Sequence, residues 1–115
     1  MTKPLDGVRI IDLSNMLMAP YATQILGDMG ADIIKVEPPV GDPIRGIGPY
    51  RNPGMGAIFM NINRSKRSIV LDLKKPDGHA AILELLKDAD VLIYNRRPKV
   101  MDRLDLSYEK LSALN

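Results

Sequence analysis

The chain has 115 residues, enough for one small domain with a core and too few for two. Apolar residues make up 45% and charged residues 26%, an ordinary balance for a soluble globular protein, and the formal net charge is only +2. The absence of cysteine excludes disulfides, thiolate metal sites and cysteine nucleophiles, and the single histidine, His79, excludes any constellation needing two imidazoles.

Aromatic content is 4%, with Phe59 the one phenylalanine and no tryptophan, which argues against base stacking on aromatic platforms. Lys3, Asp6, Arg9 and Asp12 interrupt the first apolar stretch, so neither a signal peptide nor a membrane span is expected. A cytoplasmic location is the default expectation, with neither nucleic acid nor a membrane as partner.

In chain order, Val8 to Leu13 is a short apolar run that reads as a buried strand. Ser14 or Asn15 can cap the helix that follows, and Pro20 suits its first turn. Tyr21 to Met29 places Ile25, Leu26 and Met29 on one helical face, and Gly30 ends the helix. Ile33, Ile34 and Val36 mark a second strand, completing a βαβ unit. From Glu37 to Arg67 no helix stands out, and Pro38 to Gly56 holds five of the nine prolines and five of the nine glycines. A connection that long is expected to be functional or wrapped over a partner. Phe59 to Ile62 adds a piece that is extended or helical, the pattern allowing both.

Ile69 to Leu73 reads as a third strand. Pro76 and Asp77 start a helix whose buried face is Ile82, Leu83, Leu85 and Leu86. Val91 to Tyr94 is a fourth strand, apolar as strands covered on both faces are. Val100 to Leu104 and Tyr108 to Leu114 are short helices around a turn at Asp105. The expected fold class is α/β, a Rossmann-like doubly wound sheet, mostly parallel, with at least four strands. A parallel sheet ending on a helix wants another strand, so residues 1–115 are expected to open a larger α/β enzyme.

The first strand–helix connection, Ser14-Asn15-Met16-Leu17-Met18-Ala19-Pro20, contains no glycine, so a standard dinucleotide site is not expected there. Asp12 reads as a structural acceptor and Ser14 as a helix cap rather than as catalytic groups. Met16, Met18 and Met29 read as packing, and His79 as an exposed residue with no orienting partner. Between Arg51 and Arg103 lie eleven basic and six acidic residues. The excess falls in two clusters, Arg64, Lys66, Arg67, Lys74 and Lys75, then Arg96, Arg97, Lys99 and Arg103. Each follows or feeds a strand, so both are expected to converge on the carboxyl edge of the sheet as an anion site.

Several stretches resemble the family III CoA-transferases, which include formyl-CoA:oxalate CoA-transferase and 2-methylacyl-CoA racemase-like proteins. They are Pro4-Leu5-Asp6-Gly7-Val8-Arg9-Ile10-Ile11-Asp12-Leu13, Ala19-Pro20-Tyr21-Ala22-Thr23-Gln24 and Gly30-Ala31-Asp32-Ile33-Ile34-Lys35-Val36-Glu37-Pro38-Pro39. Gly41-Asp42-Pro43-Ile44-Arg45, Asn63-Arg64-Ser65-Lys66-Arg67-Ser68, Leu71-Asp72-Leu73-Lys74 and Val100-Met101-Asp102-Arg103-Leu104 continue the match in register.

The resemblance implies a site for coenzyme A, as acyl-CoA substrate, lined by Leu71, Lys74, Asn95, Arg96 and Arg103. Leu17 and Met18 match the loop beside the thioester. It implies no metal, a carboxylic acid as second substrate, an aspartyl-CoA intermediate, and an interlocked homodimer in the full-length protein. The catalytic aspartate is expected beyond position 115, leaving no catalytic residue within the chain. Relative to the family's usual residues, Ala19, Lys99 and Asp105 stand at glycine positions and Arg96 at a phenylalanine. Two alternatives stand beside this reading: a racemase-type enzyme, and a non-catalytic anion- or nucleotide-binding module.

Overall fold

A computed structural model describes residues 2–115. Four parallel strands form one sheet: β1 (Arg9–Asp12), β2 (Asp32–Glu37), β3 (Lys66–Val70) and β4 (Val91–Ile93), in the order β3-β2-β1-β4. That order begins the doubly wound arrangement, with the chain reversing direction across the sheet at β1. Helix α1 (Met18–Asp28) links β1 to β2, and α3 (Pro76–Lys87) links β3 to β4. Between β2 and β3 lie a 3-10 turn (Pro43–Gly46) and the short helix α2 (Ala57–Ile62). Helices α4 (Pro98–Arg103) and α5 (Tyr108–Leu114) follow β4.

Alternation along the strands sorts the core to two faces. Ile11, Leu13 and Val36 point to one face and pack with Ile82 and Leu86 of α3, Met101 of α4 and Leu106. Ile10, Ala31 and Ile33 point to the other, against Leu26 of α1. Gly30 ends α1 as expected: its φ is +107°, and a Cβ there would sit 2.6 Å from Asp6 Oδ1. The α3 face is also as read, with Ile82 and Leu86 buried and Leu83 and Leu85 partly so.

Five expectations need correction. The third strand is Lys66–Val70, three residues earlier than the apolar run that marked it. Its starting lysine is buried against a carboxylate, which no hydrophobic pattern reports. The residues of α1 that are buried are Pro20, Thr23, Gln24 and Gly27, while Ile25 and Met29 are exposed. Helix α1 approaches the sheet so closely that small and polar residues fill the gap. Met16 and Met18 are likewise exposed, Met18 at 76%. Ser14 caps no helix; its hydroxyl donates to Asp12 instead, and α1 starts without a side-chain cap. In β4, Val91 is exposed, because this strand is a sheet edge with one lateral neighbour. Phe59 to Ile62 resolves as helix within α2, which supplies the helical piece that the long connection did not advertise.

Candidate functional site

The carboxyl ends of β1 and β4 meet at the point where the sheet order reverses, the usual ligand crevice of such folds. Here the loop from Ser14 to Leu17 is held by side chains from three other segments. Lys35 Nζ donates to the Ser14 carbonyl at 3.1 Å. Asn95, just past β4, forms a reciprocal pair with the Asn15 backbone, its Nδ2 donating to the carbonyl at 2.9 Å and its Oδ1 accepting from the N–H at 3.2 Å. Asp42 Oδ1 accepts from the Met16 N–H at 3.1 Å. Met16 has φ of +65°, a left-handed conformation that is uncommon for a side-chain-bearing residue. The loop thereby presents Leu17 and Met18 outward, 46% and 76% exposed.

Beneath this loop, on the α1 face, lies a buried ionic network. Asp12 is fully buried and accepts from the Ser14 N–H and hydroxyl, the Thr23 hydroxyl and Lys66 Nζ. Lys35 and Asp42 pair at 2.9 Å with both side chains 1% exposed. Glu37 takes both arms of the Arg45 guanidinium and the Ser68 hydroxyl. Burial alone would raise the Glu37 carboxyl, but the hydrogen bonds from Arg45 and Ser68 outweigh it and bring its pKa to about 2. Burial pulls the Lys66 ammonium below its ordinary pKa, with the Asp12 charge opposing it.

A second element of the site is a groove of about 340 Å³ lined by Lys74, Lys75, His79 and Arg103, with Leu73 and Asp105 among its walls. His79 is more enclosed than its sequence context suggested, its side chain 22% exposed and its Nε2 3.3 Å from the Asp105 carbonyl. Asp105 has φ of +57°, so an aspartate occupies the left-handed backbone that glycine would take without cost.

The two basic clusters converge only in part: Lys74 and Lys75 of the first share the groove with Arg103 of the second. Arg64 pairs with Asp28, Arg67 with Asp32 and Lys66 with Asp12, so these three are neutralised and the two arginines lie away from the carboxyl edge. Arg64 and then Ser65 hold the Asp28 carboxyl at about 2. By contrast, among the described residues Lys74, Lys75, Arg96, Arg97, Lys99 and Arg103 make no ion pair. All six follow the carboxyl ends of β3 and β4. Arg96 adds a buried Nε with no hydrogen-bond partner.

Of the residues expected at the site, Lys74 and Arg103 share the groove, while Leu17, Met18 and Asn95 gather at the β1–β4 crevice. Leu71 packs against the core beside the carboxyl end of β2. Sequence reasoning missed Lys35, Asp42 and Asn15. The usable signal was Lys35 itself, a charge between Ile34 and Val36 in an otherwise apolar strand. Among the described residues no cluster of His, Asp and Glu could hold a metal ion, and no helix is long and apolar enough to cross a membrane.

The family model described as CoA-transferase family III matches residues 5–115. An acetyl-CoA:oxalate CoA-transferase of Acetobacter aceti is 48% identical over 97% of this chain and 29% of its own length. A formyl-CoA:oxalate CoA-transferase of Rhodopseudomonas palustris is 44% identical over 100% of this chain and 27% of its own. Among solved structures, a CAIB/BAIF family protein from Brucella suis superposes with a TM-score of 0.93 at 39% identity, covering 100% of this chain and 32% of that one. The chain thus spans under a third of the length of these relatives.

Proposed function

Because the chain belongs to CoA-transferase family III, we propose that residues 1–115 are the N-terminal, CoA-binding part of an enzyme that moves CoA between carboxylic acids. The observation that carries this reading is the set of six cations without ion-pair partners in the segments after β3 and β4, three of which (Lys74, Lys75 and Arg103) share one groove, set against the neutralised Arg64, Lys66 and Arg67. An unpaired cation cluster beside a crevice is what a polyanionic ligand requires. Arginine grips phosphate oxygens as a fork and lysine acts as a point charge, so Lys74, Arg96 and Arg103 take the phosphates. The orphaned Arg96 Nε gains its missing partner in the same step.

Leu17 and Met18 flank the thioester with an apolar surface, Leu71 lines the CoA site, and Asn95 fixes the loop that carries them. These residues bind and orient. The nucleophile, an aspartate that forms an acyl anhydride and then an aspartyl-CoA thioester, belongs to the remainder of the full-length enzyme. An acyl-CoA and a carboxylic acid are its substrates, an interlocked homodimer its assembly and the cytoplasm its location. The test is thermal stabilisation of the full-length protein by CoA. Lys74→Ala and Arg103→Ala should each weaken affinity by about 1.5–3 kcal/mol, the range for hydrogen bonds to charged groups. Unchanged affinity in both variants rejects the site.

A further inference from the structure

We infer that Asp42 is a positioning residue for acyl transfer, acting through the backbone of Met16. This rests on the CoA-transferase reading above and adds to it a residue that touches neither CoA nor the reacting atoms.

Asp42 is 2% exposed, and every acceptor position it uses serves this corner of the fold. Its Oδ1 accepts from Met16 at 3.1 Å and from Ile44 at 3.0 Å, and its Oδ2 takes Lys35 Nζ at 2.9 Å. Lys35 Nζ in turn holds the Ser14 carbonyl. One buried ion pair therefore grips the loop two residues apart, on either side of the Asn15 backbone that Asn95 clamps. Asp42 is anchored from behind by its own N–H, which donates to Glu37 Oε1.

Met16 would leave its left-handed φ of +65° if released, because L-residues with a Cβ favour negative φ. The next two residues are Leu17 and Met18, the pair presented beside the thioester. A change of φ at Met16 swings both while leaving the groove at Lys74 and Arg103 in place. Asp42 is thus tied to the geometry of the reacting end and not to the grip on the phosphates.

The experiment uses the full-length protein. Lys35→Met/Asp42→Ala removes both charges together, so no uncompensated ion is left buried. Met16→Pro, on the exposed loop, deletes the N–H that Asp42 binds and forbids positive φ. Both variants should lower kcat for CoA transfer more than tenfold while the Kd for free CoA stays within about threefold. The double variant should also speed hydrogen exchange at the Met16 amide at least tenfold, a readout that needs no ligand. Wild-type kcat in Met16→Pro, an equal loss of kcat and CoA affinity, or unchanged exchange at Met16 overturns the inference. Failure of the unsubstituted protein to bind CoA would reject the reading it rests on, and the exchange arm would still decide whether Asp42 holds Met16.

Discussion

Arg45 forks onto Glu37 through two hydrogen bonds of 2.7 Å each, while its guanidinium lies 3.8 Å above the Phe59 ring centroid. One side chain thereby ties the carboxyl end of β2 to the 3-10 turn and to α2. The stretch richest in proline and glycine is an ordered annex of the sheet, not a free strap.

That pairing sets an acid limit on stability. Glu37 has a folded-state pKa of about 2, below its ordinary value of 4.5. A depressed carboxylate contributes stability that is fully present above about 4.5 and is lost as pH falls toward 2. At about 1.4 kcal/mol per unit, the contribution is roughly 3 kcal/mol. Urea midpoints measured between pH 6 and pH 3 should fall in the unsubstituted protein and fall less in Glu37→Gln.

Buried and exposed cations of the first basic cluster should differ sharply. Lys66→Ala strands the Asp12 carboxylate, fully buried, without its ammonium and should cost about 3–5 kcal/mol. Arg67→Ala breaks a pair whose arginine is 67% exposed and should cost less than about 1 kcal/mol. Chemical denaturation of the two variants side by side checks the contrast.

Two helical glycines are kept for closeness. A Cβ on Gly27 would lie 2.9 Å from the Ser65 carbonyl oxygen and 3.2 Å from Ile33 Cγ1. A Cβ on Gly78 would lie 2.1 Å from the Asp72 carbonyl oxygen. Alanine ordinarily stabilises a helix by about 1 kcal/mol over glycine, but backbone cannot yield at either contact. Both substitutions should therefore destabilise, Gly78→Ala the more, by at least about 2 kcal/mol; thermal midpoints give the order.

Arg96 should separate stability from binding. Its Nε is buried without a partner, a penalty of about 1–3 kcal/mol in the free protein. Arg96→Met removes that group and should leave the thermal midpoint unchanged or raised, while CoA affinity falls at least fivefold. A lowered midpoint with affinity intact would assign the arginine to structure alone.

What the sequence revealed and hid follows from how each residue is buried. Strands β1, β2 and β4 and helix α3 were legible because each carries a run of apolar side chains, Ile10 and Ile11, Ile33 and Ile34, Leu92 and Ile93, and Ile82 and Leu86, that marks it even where charged residues are buried beside it. The third strand was misplaced because Lys66 enters the interior as an ion pair, and a periodicity argument counts lysine as surface. Helix α1 was found but its inner face was not, since Thr23, Gln24 and Gly27 lie where apolar residues were sought. At the site, the structure brought Lys74 and Arg103 to one groove, as their positions after successive strands implied. Arg64 and Arg67 looked equivalent to them, and only three-dimensional proximity to Asp28 and Asp32 removed them. Asp12 was correctly read as an acceptor, because a carboxylate ending an apolar strand needs donors once it is covered.

The Asp12–Lys66 pair also has a consequence in time. Asp12 leaves the ribosome 54 residues ahead of the lysine that neutralises it. Until that lysine arrives, the carboxylate has donors from Ser14 and Thr23 but no compensating charge, so burying β1 under α1 is costly. The first βαβ unit is therefore expected to complete its interior only when β3 docks, and folding of this half should register as one cooperative, late event.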